Sequence, residues 1–78
     1  MDVQIIATRD CRHRPNLERE LRMMGLPYRV VFIEDDPAVA ARYGIRHSPN
    51  LVVDDEVAFR GQPTEHELRA YLERRAAQ

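Results

Sequence analysis

The sequence predicts one small α/β domain, a four-stranded mixed sheet flanked by three helices in the order β-α-β-α-β-β-α. Three observations predict it. Short β-branched apolar runs alternate with stretches of helical period. Proline and glycine stand at the starts and ends of those stretches. The chain has 78 residues, which suits a single domain over 1–78 and leaves no room for a second.

Val3 to Ala7 is an apolar run bounded by Thr8-Arg9-Asp10 and reads as a buried first strand. From Pro15 to Met24, Leu17, Leu21 and Met24 recur at helical spacing, with Glu18 and Arg22 four apart on an outer face. Pro15 suits the first turn of that helix and Gly25 its end. Tyr28 to Ile33 is nearly continuous in apolar residues, the pattern of a strand buried on both faces. Asp36-Pro37 starts a short second helix, and Gly44 stops it. Leu51 to Val53 and Val57 to Phe59 are two brief strands that the acidic Asp54-Asp55-Glu56 should join as an antiparallel hairpin. Thr64 and Glu67 form a T-x-x-E capping box ahead of a last amphipathic helix carrying Leu68, Tyr71 and Leu72, with Ala76 to Gln78 expected to fray.

Composition narrows the function. Hydrophobic residues make up 44% and charged residues 32%, a globular balance, and a chain this short buries only roughly 60% of its unfolded surface, so its stability margin should be thin. No apolar run approaches the roughly 20 residues of a spanning helix, and acidic Asp2 stands where a signal peptide would carry positive charge, so no membrane association and a cytoplasmic location are expected. All 12 basic residues are arginine, and with 13 acidic residues they leave a formal net charge of -1, which gives no global field for nucleic acid. The single cysteine excludes an internal disulfide, so any disulfide chemistry needs a partner's thiol. Oligomeric state is not written in the sequence.

Cys11 falls between the first strand and the first helix, where free amide groups and the positive end of the helix dipole favour a thiolate. Arg9, Arg12, His13 and Arg14 add positive charge, Asp10 subtracts some, and such surroundings lower a thiol pKa from about 8.5 toward ~3.5 to 7.5. The competing reading is a small buried hydrophobe, the common fate of a lone cysteine, but the run Arg-Asp-Cys-Arg-His-Arg is hard to bury. A phosphatase loop is excluded because Leu17, not arginine, stands six residues after Cys11. No metal site is expected: Cys11 and His13 supply two ligands where structural zinc needs four, and His47 and His66 are the only further soft candidates.

Three segments in this order resemble the thioredoxin superfamily, and more closely its small glutaredoxin-like proteins. Thr8-Arg9-Asp10-Cys11-Arg12-His13-Arg14 lies where that family has C-x-x-C or C-x-x-S, here C-R-H-R. Tyr43 to Val53 is similar to the family's stretch through a cis-proline into the third strand, and Phe59-Arg60-Gly61 leads to the last helix as in the family. The resemblance implies Cys11 as the nucleophile of thiol-disulfide exchange, with His13 and Arg12 stabilising its thiolate. It implies a cis bond before Pro49, with Ser48 and Pro49 docking an extended thiol-bearing peptide. Arg14 replaces the family's second cysteine, so only a monothiol route through an outside thiol remains, with glutathione as co-substrate and no cofactor bound permanently. The family's glycine pair and acid before the last helix are reduced here to Gly61 with no acid in Arg60 to Thr64; Arg9, Arg12 and Arg14 are the expected substitute, an anion site for a tripeptide's carboxylates. Partners would be protein or glutathione thiols and disulfides. The alternative function is a redox-inactive module of the same fold that binds a protein through the Ser48-Pro49 groove.

Overall fold

Seven elements follow one another along the chain: β1 (Val3–Ala7), α1 (Arg14–Met23), β2 (Arg29–Phe32), α2 (Pro37–Tyr43), β3 (Asn50–Val53), β4 (Glu56–Phe59) and α3 (Glu65–Ala76). The structure is a computed structural model and describes residues 1–77. Element order and the mixed four-stranded sheet are as the sequence predicts. The strands lie in the order β2-β1-β3-β4, with β1 parallel to β2 and antiparallel to β3, and β3 antiparallel to β4. Among the described residues no helix is long and apolar enough to cross a membrane.

The central pair β1 and β3 is apolar almost throughout because it has a strand on each side and helices above and below; every residue of both is buried. Alternation then sends neighbours to opposite faces. Ile5 and Ala7 join Leu17, Leu21, Leu68 and Leu72 under α1 and α3, whereas Ile6, Val52 and Ile45 pack with half-buried Val39 and Tyr43 of the α2 side. Each fully buried aliphatic side chain contributes about 1.5–3 kcal/mol.

The apolar run Tyr28 to Ile33 is corrected by the sheet order. It was expected to be buried on both faces, but β2 is an edge strand whose residues are exposed or half-buried. Val30 and Val31 do face the two interiors, yet only β1 lies beside them, so the outer flank stays open to water. The hairpin also differs by one residue. Val53 pairs with Glu56, which leaves a two-residue turn in which Asp54 and Asp55 both have positive φ, 50° and 67°. Two consecutive left-handed residues match the twist of the flanking strands. Their strain is offset by anchors: the Asp2 amide donates to Asp54 Oδ1 at 2.8 Å, and the Tyr43 hydroxyl donates to Asp55 Oδ1 at 2.9 Å.

Helix ends follow the local signals. Gly25 (φ 71°) and Gly44 (φ 62°) take the left-handed conformation that closes α1 and α2. At α3 the Thr64 hydroxyl accepts the Glu67 amide at 3.1 Å and Glu67 Oε1 accepts the Thr64 amide at 3.0 Å, the reciprocal cap its sequence announces. Asp36 does occupy the cap position of α2, but its side chain makes no capping bond. Fraying was expected from Ala76 onward; α3 includes Ala76 and Ala77 caps it, while Gln78 lies outside the described residues.

Candidate functional site

The loop Thr8 to His13 connects β1 to α1 and carries Cys11. A turn with the Cys11 amide donating to the Thr8 carbonyl at 3.2 Å brings the thiol back over the sheet. Cys11 is a free thiol, half-buried, and packs against the α1/α3 interior. His13 is the cap residue of α1, exposed, and its carbonyl accepts the Leu17 amide at 3.2 Å. The amides of Cys11's own helix therefore begin three residues beyond the sulfur, the place where backbone donors remain free.

The second arm of the site is the segment before β3. The Ser48–Pro49 peptide bond is cis and Pro49 is fully buried. The Ser48 hydroxyl accepts the Thr8 amide at 3.1 Å, so this segment is fastened to the cysteine loop across 40 residues of sequence. Asn50 fixes the same junction from beneath. It is 1% exposed, and its amide nitrogen donates to the carbonyls of Ile6 and His47. Sequence reasoning missed this role, although an asparagine opening an otherwise apolar strand was a signal that a buried polar group has a fixed partner.

The arginines of the cysteine loop do not act alike. Arg9 pairs with Asp35, its amide donates to Glu34 Oε2 at 2.9 Å, and its guanidinium lies 4.5 Å from the Phe32 ring centre. The Asp35 hydrogen bond and charge hold the Arg9 pKa above its ordinary value. Arg14 pairs with Glu18 one turn on and lies 5.3 Å from the same ring. Glu18 is shared further with the Tyr28 hydroxyl at 2.9 Å, and burial, then this carboxylate, pushes the Tyr28 pKa up. Arg12 is exposed and, among the described residues, reaches no carboxylate. Two of the three arginines expected to form an anion site thus already have carboxylate partners, supplied by the β2–α2 loop and by α1. Phe32, which sequence reasoning treated as core, is the platform on which both lie.

On the far side of the junction, Phe59, Arg60, Gly61, Gln62, Pro63 and Glu67 line a shallow cleft of ≈ 180 Å³. The sequence offered no acid between Arg60 and Thr64, but the fold brings Glu67 to this cleft from the first turn of α3, and chiefly a hydrogen bond from the Thr64 amide holds its pKa below the ordinary carboxylate value. Gln62 Oε1 there is buried without a donor.

A sheet of order β2-β1-β3-β4, a cysteine loop after β1 and a cis-proline before β3 together describe a known architecture, and comparison with known proteins agrees. The sequence matches the family of the thioredoxin domain over residues 1–73. The fold is similar to the crystal structure of a mutant of the thioredoxin-like protein BC3987, with a TM-score of 0.76 and 24% identity over 91% of this chain and 99% of that one. It is also similar to thioredoxin 1 from the thermophilic eubacterium Thermosipho africanus, with a TM-score of 0.69 and 12% identity over 97% of this chain and 99% of that one. A search of curated proteins finds no significant match. With the family's pattern matched along nearly all of its length and the family's sheet built from it, the chain belongs to the thioredoxin-domain family.

Proposed function

We propose that this protein is a glutaredoxin-like thiol-disulfide oxidoreductase of the cytoplasm that works by a monothiol route. The observation that carries this reading is a free, half-buried Cys11 in a loop fastened through Thr8 and Ser48 to a cis-proline segment. In the first step the Cys11 thiolate attacks one sulfur of a mixed disulfide between a protein and glutathione. A bond forms between Cys11 and the glutathione sulfur, and the protein leaves as a thiolate that takes a proton from solvent. In the second step a glutathione thiolate attacks that sulfur, releasing glutathione disulfide and restoring Cys11. A second cysteine in the chain is not needed, because the resolving electrons come from the outside thiol.

His13 and Arg12 are the groups beside Cys11 with no carboxylate of their own among the described residues, and both serve to stabilise its thiolate. The backbone of Ser48, ahead of Pro49, receives the extended substrate as an added strand. Arg9 and Arg14 lie over Phe32 on the β2 side of the cysteine loop, with their charge shared with Asp35 and Glu18. Gln62 Oε1 and Glu67 give the neighbouring cleft acceptors suited to a ligand's ammonium group, which supports a tripeptide thiol as the reductant.

The test is the rate of Cys11 alkylation against pH, followed by glutathione-coupled reduction of a mixed disulfide. An inflection well below about 8.5, with turnover lost in Cys11→Ser and the inflection raised in His13→Ala, is the expected result. A slow profile with its inflection at or above that of a free thiol would overturn this reading and favour a module that binds protein without redox chemistry.

A further inference from the structure

We propose that the cleft beside the end of α2, lined by Gly44, Arg46, His47, Asn50 and Arg60, binds a small molecule through its oxyanion group, a carboxylate or a phosphate. The cleft measures ≈ 400 Å³, larger than the one beside Gly61 and within the range of small-molecule sites. Its lining includes two arginines and a histidine and no carboxylate.

That imbalance is local. The molecule as a whole carries 13 acidic residues against 12 arginines. Among the described residues seven of those arginines are ion-paired, and the five that are not are Arg12, Arg19, Arg46, Arg60 and Arg74. Two of the five meet in this one cleft. An unpaired guanidinium on open surface is ordinary, but two sharing a concavity with no acid create a positive potential that an anion relieves.

Arg60 is also pre-positioned. Its Nη1 donates to the Gly44 carbonyl at 3.0 Å and its Nη2 to the Tyr43 carbonyl at 3.2 Å, so the end of α2 holds the guanidinium in place. These two bonds use two of its five N–H donors and leave the others for a planar or tetrahedral oxyanion. A side chain already fixed loses little rotamer freedom on binding, which favours affinity. The floor is fixed in the same way. Asn50 spends its amide hydrogens on Ile6 and His47, which determines which way the amide faces, and its Oδ1 is buried with no donor.

This cleft opens on the α2 face of the sheet and adjoins the thiol site, since Asn50 also fixes the cis-proline junction and Arg60 also lines the cleft beside Gly61. Cys11 packs on the α1/α3 interior, whereas Asn50 alternates with Leu51 on β3 and shares the α2 face with Ile6 and Val52.

Inorganic phosphate and sodium acetate, each titrated into the ¹⁵N-labelled protein at constant ionic strength set with chloride, test the proposal. Saturable shifts of the Gly44, Arg46, His47, Asn50 and Arg60 amides with either oxyanion are expected. Arg46→Ala, at an exposed position with no ion pair to lose, should weaken binding roughly tenfold or more while Cys11→Ser leaves it unchanged. Phosphate binding more tightly marks a phosphate ligand, and acetate binding at least as tightly marks a carboxylate. Shifts that rise linearly with both salts, that chloride alone reproduces, or that Arg46→Ala does not weaken would overturn it.

Discussion

Ile5 and Ile6 are neighbours on β1, both with no exposed surface, yet they serve two different interiors. Ile5 belongs to a cluster of nine buried residues closed by α1 and α3, which bring Leu17, Leu21, Leu68 and Leu72. Ile6 belongs to a cluster of three, closed by α2, which has no buried residue of its own. The α1/α3 face is thus a sealed core, and the α2 face is a thin cover beside an open basic cleft. The difference teaches where stability and binding reside in a domain with little surface to spare: one face does most of the packing, and the other leaves room for polar work.

The sharpest way to break this comparison is to truncate the two isoleucines in turn. Ile5→Ala should cost toward the upper end of about 2–5 kcal/mol, because the deep cluster cannot close over the lost methyls, and Ile6→Ala should fall near the lower end, because a lightly anchored α2 can settle inward. Denaturant midpoints of the two variants decide it, and equal losses would show that the α2 face is packed as firmly as the other.

Asn50 is the polar exception on the thin face. Asn50→Ala leaves the Ile6 and His47 carbonyls without their donor, and a loss of about 1–3 kcal/mol per unmet buried group is expected from the same midpoints. A neutral outcome would mean that water replaces the amide, as an open α2 face allows.

The helix caps offer a smaller contrast. Thr64→Ala removes a working cap from α3 and should cost about 0.5–2 kcal/mol. Asp36→Ala removes a side chain that makes no capping bond on α2 and should stay within about 0.5 kcal/mol. The α3 cap also has a pH signature. Hydrogen bonds from Thr64 depress the Glu67 pKa in the folded state, so the stability it confers is present above the unfolded carboxylate value of about 4.3 and is lost as pH falls through the lower folded value. Asp54, depressed chiefly by the Asp2 amide, acts with the same sign. Glu67→Gln should therefore flatten the acid limb of stability below about pH 4, read from thermal unfolding at stepped pH.

The element order, the glycine stops of α1 and α2, the capping box of α3 and the position of the cysteine loop were all legible in the sequence. Each depends on residues within a turn or two of one another, where propensity, proline, glycine and capping chemistry act directly. The Asp54-Asp55 turn was legible as a turn but not in its length, because the pairing of Val53 with Glu56 and the bonds from Asp2 and Tyr43 to the two aspartates join residues that only the fold brings together.

What only the tertiary structure decided joins residues far apart in sequence. An apolar run looks the same whether its strand lies at the centre or the edge, so the half-exposure of β2 waited on sheet order. The charge of Arg9 was plain, but Asp35, 26 residues on, determines how much of it remains for a ligand. Thr8 meets Ser48, Asn50 meets Ile6, and Arg60 meets Gly44 only after the strands pair. Sequence alone therefore determined the pieces and their order, since local free energies select them; the groove, the charge left free within it and the second cleft arise from long-range pairing, which no local preference encodes.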